Sequence, residues 1–248
     1  MGVALGAFAV LPGLAIGSFL NVVAARLPER RSLLHPRSAC RSCHTPIAWY
    51  DNVPLVSYVL LRGRCRTCRT PIGPIYPAVE LVTAALLAAC LVTFGLSLHA
   101  AAAAVFCAAL VVITATDLTY RIVPNRVVLP AAAIVFVLMT AAEPSPEWAI
   151  AGLGAAAFLL LAALAYPGGM GMGDVKLALL MGVALGSTVA VALPLGMIAA
   201  LVPAVVLLAR HGSGARKMAI PFAPFLALGS LIALFAGDAL VHAYTSLF

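Results

Sequence analysis

Apolar runs separated by short polar breaks set the pattern of this chain, at roughly residues 3–25, 77–96, 98–116, 127–142, 148–166, 177–187, 189–209 and 219–244. About 20 apolar residues suffice to carry a helix across the hydrocarbon of a bilayer. The stretch 177–209 would be about 50 Å long as one helix at about 1.5 Å per residue, against about 30 Å of hydrocarbon. It must therefore turn, and Gly186-Ser187 is the expected place. The pattern predicts an all-α polytopic membrane protein of about eight transmembrane helices, with a small loop domain between the first and second. Residues 1–25 are then the first transmembrane helix, 26–76 the loop domain and 77–248 a seven-helix membrane core.

Composition removes the soluble alternatives. The 248 residues are 64% hydrophobic and 9% charged, where soluble chains carry about 25% charged residues. The net charge of +7 reads differently once its distribution is known. All 15 basic residues fall within Arg26–Arg69, at Arg121 and Arg126, at Lys176, and at Arg210, Arg216 and Lys217. With eight spans these clusters share one side of the membrane, so the positive-inside rule places them in the cytoplasm and both chain ends outside. The charge is a topology signal, and no nucleic-acid partner is expected. Met1–Ala25 has no positive segment ahead of its apolar run, so it reads as a retained span rather than a cleaved signal.

Within the loop, Cys40 and Cys43 form one C-x-x-C pair and Cys65 and Cys68 another, with 21 residues between them. Two such knuckles can each supply two thiolates to a tetrahedral zinc ion. A cytoplasmic loop keeps its thiols reduced, which disfavours disulfides. About 50 residues poor in large apolar side chains also gain from a structural metal. A complete four-cysteine set leaves no vacancy for His35 or His44, which are expected at the surface. Cys90 and Cys107 lie inside apolar runs and read as small core residues.

The carboxylates supply candidate chemistry. Of the eight, Glu29 and Asp51 lie in the loop domain, Glu143, Glu147 and Asp238 near outer span ends, and Glu80 at an expected helix start. Asp117 and Asp174 remain, both at inner span ends. Asp174 follows a glycine-rich break, Pro167-Gly168-Gly169-Met170-Gly171-Met172-Gly173. On that stretch alone two readings stand: Asp174 caps a helix beginning at Val175, or it serves chemistry on a peptide whose backbone lies against the glycines. Asp117 likewise either pairs with Arg121 or meets Asp174. Two carboxylates a few Å apart cannot both ionise, so they share one proton, as aspartic proteolysis requires. Asn21 in the first span and the prolines of Pro221-Phe222-Ala223-Pro224 at the last keep a plain structural reading beside a functional one.

Taken together these motifs resemble the bacterial type IV prepilin peptidase family over nearly the whole chain: GSFLNVVAARLP (Gly17 to Pro28), the knuckles CRSC and CRTC, NVPLVSY (Asn52 to Tyr58), YPAVE, D-x6-P at Asp117 and Pro124, GxGD at Gly171, Gly173 and Asp174 followed by Val-Lys, and PFAPF with Ala223 where the family has glycine. The resemblance implies an inner-membrane enzyme that cuts the basic leader from prepilins and pseudopilins at the cytoplasmic face. Asp117 and Asp174 would be its catalytic pair, with Gly171, Gly173 and Lys176 supporting the catalytic loop. It further implies N-methylation of the new N-terminal residue with S-adenosylmethionine, an activity associated with a zinc loop held by Cys40, Cys43, Cys65 and Cys68. Presenilin-like proteases and archaeal preflagellin peptidases also carry GxGD but leave the knuckles unexplained. A rival of another class is a proton or cation transporter whose zinc loop docks a partner, which requires a carboxylate near mid-bilayer.

Overall fold

The computed structural model describes residues 2–166, 170–212 and 220–245. Its long helices follow the apolar runs: α1 (Gly2–Arg26), α3 (Ile75–Phe94), α4 (Leu98–Tyr120), α5 (Asn125–Ala142), α6 (Glu147–Ala165), α7 (Met172–Leu185), α8 (Val189–His211) and α9 (Ala223–Thr245), with a five-residue α2 (Val56–Leu60) in the loop. Among the described residues six apolar helical stretches are long enough to cross a membrane. One of them, Met172–Arg210, is α7 and α8 together; Ala223–Gly237, in α9, is a shorter apolar stretch. No strand forms among the described residues.

The predicted turn at Gly186 is present. A 3-10 turn, Gly186–Thr188, separates α7 from α8, and Gly186 takes φ +57°, a backbone state costly for residues with a Cβ. The carboxylate of Glu147 accepts the Ser187 N–H at 2.7 Å and fixes that turn to the start of α6.

The chain divides into two compact units, Met1–Leu96 and Ser97–Phe248. In the first, α1 lies along α3 at very short range. A Cβ on Gly13 would sit 2.6 Å from the Ala84 Cα, and one on Gly17 2.7 Å from the Glu80 Cα. Small residues allow such approach where lipid offers helices no hydrophobic drive to associate. The Asn21 amide donates to the Tyr76 carbonyl at 3.0 Å, tying α1 to the first turn of α3.

Glu80 departs from expectation. Because α3 begins at Ile75, Glu80 lies beyond the first turn rather than at the helix start. It is buried, and its carboxylate accepts the Leu55 N–H at 2.9 Å, pinning the loop domain to α3.

In the second unit α4 is the central helix. Of its apolar stretch 61% is buried, against 22% for Glu147–Ala165, and Phe106, Leu110 and Ile113 are the largest of its fully buried side chains. Ser97 starts α4 by accepting the Ala100 N–H at 3.1 Å. Helices α6 and α7 close on each other at Gly152 and Gly182, where a Cβ on Gly182 would meet the Ala151 carbonyl oxygen and lie 2.6 Å from the Gly152 Cα.

Candidate active site and candidate metal centre

Three helix ends in the second unit build the aspartate site. Asp117 sits in the last turn of α4, where Arg121 takes the left-handed conformation at φ 56° and returns its N–H to the Asp117 carbonyl at 2.9 Å. The chain then runs extended through Pro124, the residue preceding α5. This is the structural content of the D-x6-P spacing: the proline holds the chain out of the helix and starts the next one.

Asp174 comes from the start of α7, which begins at Met172 rather than near residue 177. It therefore does not cap a helix beginning at Val175. Gly171 precedes the helix in extended backbone, and the Asp174 carboxylate reaches back to accept the Gly171 N–H at 3.3 Å. An acid in the third helical position satisfies an orphan amide and favours the helix dipole. The sequence hides this, because glycine's weak helix propensity reads as loop. Gly173 is helical, and a Cβ there would lie 2.8 Å from the Val123 Cβ. Close contact with the α4–α5 connection is thus the demand for glycine at 173. Pro167, Gly168 and Gly169, expected to help present a peptide, lie outside the described residues.

The third element is the start of α9. Pro221 and Pro224 have no N–H, Phe225 and Leu226 donate to the Phe222 carbonyl, and the Ala223 amide is left to find another acceptor. Asp117 supplies it: its Oδ2 accepts the Ala223 N–H at 3.0 Å, joining residues 106 apart in sequence. Asp117 is 6% exposed and Ala223 fully buried. The PFAPF segment therefore positions an aspartate, and alanine serves as well as glycine because the backbone makes the bond. Arg121 acts on Asp117 through its charge at longer range, as does Asp117 on Asp174. The two aspartates are brought together. Neither sits at mid-span, which removes the feature a proton or cation transporter required.

Lys176 bonds neither aspartate. Its Nζ donates to Asn125 Oδ1 at 2.9 Å, bridging α7 to the start of α5. Asn125 and Val123 had no signal in the sequence, since both gain meaning only when α7 lies beside them.

In the first unit, Cys40, Cys43, Cys65 and Cys68 converge, their sulfurs all within 4.8 Å of one another. Zinc–sulfur bonds of about 2.3 Å in a tetrahedron separate sulfurs by about 3.8 Å; Cys40 and Cys68 Sγ stand 3.7 Å apart. The set fits the metal. Local repetition explains the convergence. CRSCHTPI (40–47) and CRTCRTPI (65–72) agree at six of eight positions, a repeat legible in the sequence itself. Each folds alike: the Cys40 N–H donates to Thr45 O at 3.0 Å and that of Cys65 to Thr70 O at 2.9 Å, with bridges Ala39–Pro46 and Arg64–Pro71. The Thr70 hydroxyl and backbone pull the Cys68 thiol down to about 6, toward the thiolate a metal needs. His35 and His44 are exposed and stand outside the cluster.

Comparison with known proteins points to one family. Residues 11–94 match the bacterial peptidase A24 N-terminal domain, and residues 104–237 the type IV leader peptidase family. The chain is 36% identical to the prepilin leader peptidase/N-methyltransferase of Bacillus subtilis over 94% of each chain. It is 38% identical to that of Burkholderia pseudomallei, over 93% of this chain and 85% of the relative. Against that of Pseudomonas aeruginosa the identity is 33%, over 95% and 91%. No solved structure matches.

Proposed function

The chain belongs to the type IV leader peptidase family, and from that premise we propose that Asp117 and Asp174 are its catalytic pair. The protein is a multi-pass enzyme of the bacterial inner membrane that cleaves prepilin leaders and N-methylates the product. The observation that supports the residue assignment is the close packing of the start of α7 against the connection after α4, where a Cβ on Gly173 would lie 2.8 Å from the Val123 Cβ, with Asp117 held by the Ala223 amide.

The mechanism follows from a pair that holds one proton. The ionised aspartate takes a proton from water as the water oxygen attacks the scissile carbonyl, while the protonated partner hydrogen-bonds the carbonyl oxygen. Collapse of the tetrahedral diol breaks the C–N bond, the amine leaving with a proton from the pair. The products are the leader's new carboxyl and the free N terminus of the pilin or pseudopilin. That amine is the nucleophile for the second step, in which S-adenosylmethionine supplies the methyl group. Cys40, Cys43, Cys65 and Cys68 would hold a zinc ion, which would tie the two knuckles together as a structural element. Arg121, Arg126 and Lys176 flank the aspartates and set that end of the bundle in the cytoplasm, leaving the chain termini outside.

The test is cleavage of a prepilin peptide in liposomes with mass analysis of the product N terminus. Asp117→Asn and Asp174→Asn should each lower the rate by about 10²- to 10⁴-fold. Wild-type rates from either variant would sink the assignment.

A further inference from the structure

The loop between α1 and α3 turns large apolar side chains outward. Trp49 is 84% exposed, Val59 71% and Leu60 76%. In α2 the exposed residues Val56, Val59 and Leu60 fall at i, i+3 and i+4, one face of the helix, while Ser57 is buried on the other. A solvated helix would show the reverse arrangement.

Charge on the same loop is one-sided. Arg26–Arg69 contains nine arginines against two acids, Glu29 and Asp51. Arg62 and Arg64 lie within four residues of Leu60 and are exposed, as are Arg66 and Arg69. Apolar side chains followed at once by arginine are suited to a bilayer interface, where the guanidinium reaches headgroups as the apolar face enters the acyl boundary. Tryptophan favours the same depth. The loop is also tethered: it leaves one apolar span, Gly6–Arg26, and enters another, Ile75–Phe94. Its surface cannot stray far from the membrane.

We propose that this face, Trp49 with Val56, Val59 and Leu60 flanked by Arg62 and Arg64, rests on anionic lipid headgroups of the bilayer that α1 and α3 cross. A soluble acidic partner would satisfy the arginines but leave the apolar face without a reason. An anionic lipid surface answers both.

The full chain reconstituted in bilayers tests this. It has two tryptophans, so Trp148→Phe leaves Trp49 as the reporter. Lipids brominated on the acyl chain should quench Trp49, and phosphatidylglycerol should deepen the quenching relative to phosphatidylcholine alone. Quenching by aqueous acrylamide but not by brominated lipid would overturn the proposal. So would quenching by neither, which would mean that protein covers the face, whether the second unit, another copy or a partner. A parallel measurement needs no substitution: trypsin should cut the wild-type chain after Arg62 and Arg64 more slowly in phosphatidylglycerol bilayers. Equal cutting in both lipids would remove the anionic lipid from the account.

Discussion

The two sites are built in opposite ways. The metal centre is local: each half is an eight-residue turn whose own backbone bonds set two sulfurs, and the same turn occurs twice. The aspartate site is assembled from the ends of α4, α7 and α9, and its defining bond joins residues 106 apart. The first needs an ion to unite its halves. The second needs only that helices pack correctly. It follows that the sites should fail separately, each to its own kind of injury.

The largest effect expected is on chemistry alone. Asp117→Asn keeps an oxygen that can accept the Ala223 N–H, so the start of α9 stays in place while the shared proton is lost. Cleavage should fall about 10²- to 10⁴-fold, with zinc content by metal analysis and methylation of a mature pilin peptide both unchanged. Loss of methylation as well would show that the two activities share these carboxylates.

Next is loss of the ion. Zinc binding to such small sites is worth about 10–16 kcal/mol of folding free energy at neutral pH, far more than a loop of this size holds otherwise. Cys40→Ser with Cys65→Ser should abolish zinc content and open residues 26–76 to limited proteolysis, and methylation should be lost with it. Prepilin cleavage should survive in reduced form, because Asp117, Asp174 and the amides that bond them all belong to the second unit. Complete loss of cleavage together with unfolding of the second unit would break the division between the sites.

A smaller injury aims at helix packing. Gly173→Ala places a methyl 2.8 Å from the Val123 Cβ, a branch point fixed to the backbone that cannot swing aside. Overpacking of this kind costs about 1–3 kcal/mol. Expressed as loss of the active arrangement, that is about 5- to 150-fold in kcat/KM. Val123→Gly, which removes that Cβ, should recover part of it in the double variant, while zinc content stays constant throughout. Failure of the second change to rescue would mean that Gly173 serves the substrate backbone rather than Val123.

The contrast also explains what the sequence could reveal. The four-cysteine cluster was legible because its thiols and their spacing are written in two short stretches, which the CRxCxTPI repeat makes alike. The aspartates were legible by elimination, since few acids lie at inner span ends. Their supports were not. Nothing local distinguishes Val123 or Asn125, and the PFAPF motif marks Ala223 without naming its partner; each matters through a neighbour that arrives only when the helices pack. Gly173 misled for a physical reason: its weak helix propensity is offset by the Asp174 bond to the Gly171 amide and by close packing on Val123, so α7 starts earlier than the glycines suggest. Glu80 misled in the same manner, since its partner Leu55 lies in the loop domain.

The smallest effect expected falls on Lys176, and it sets the boundary of the aspartate site. Its bond to Asn125 is exposed, and such a bond contributes about 0.5–1.5 kcal/mol net, more at the upper end when one partner is charged. Lys176→Met keeps the length and the apolar stem but removes the donor. Cleavage should fall less than about tenfold, the loss should appear in thermal stability as well, and Lys176→Arg should restore most of both. A fall as deep as that of Asp174→Asn, with stability unchanged, would require the ammonium to touch the substrate or the reacting atoms. The site would then hold three working charges, and the glycine motif would matter for delivering Lys176 as much as Asp174.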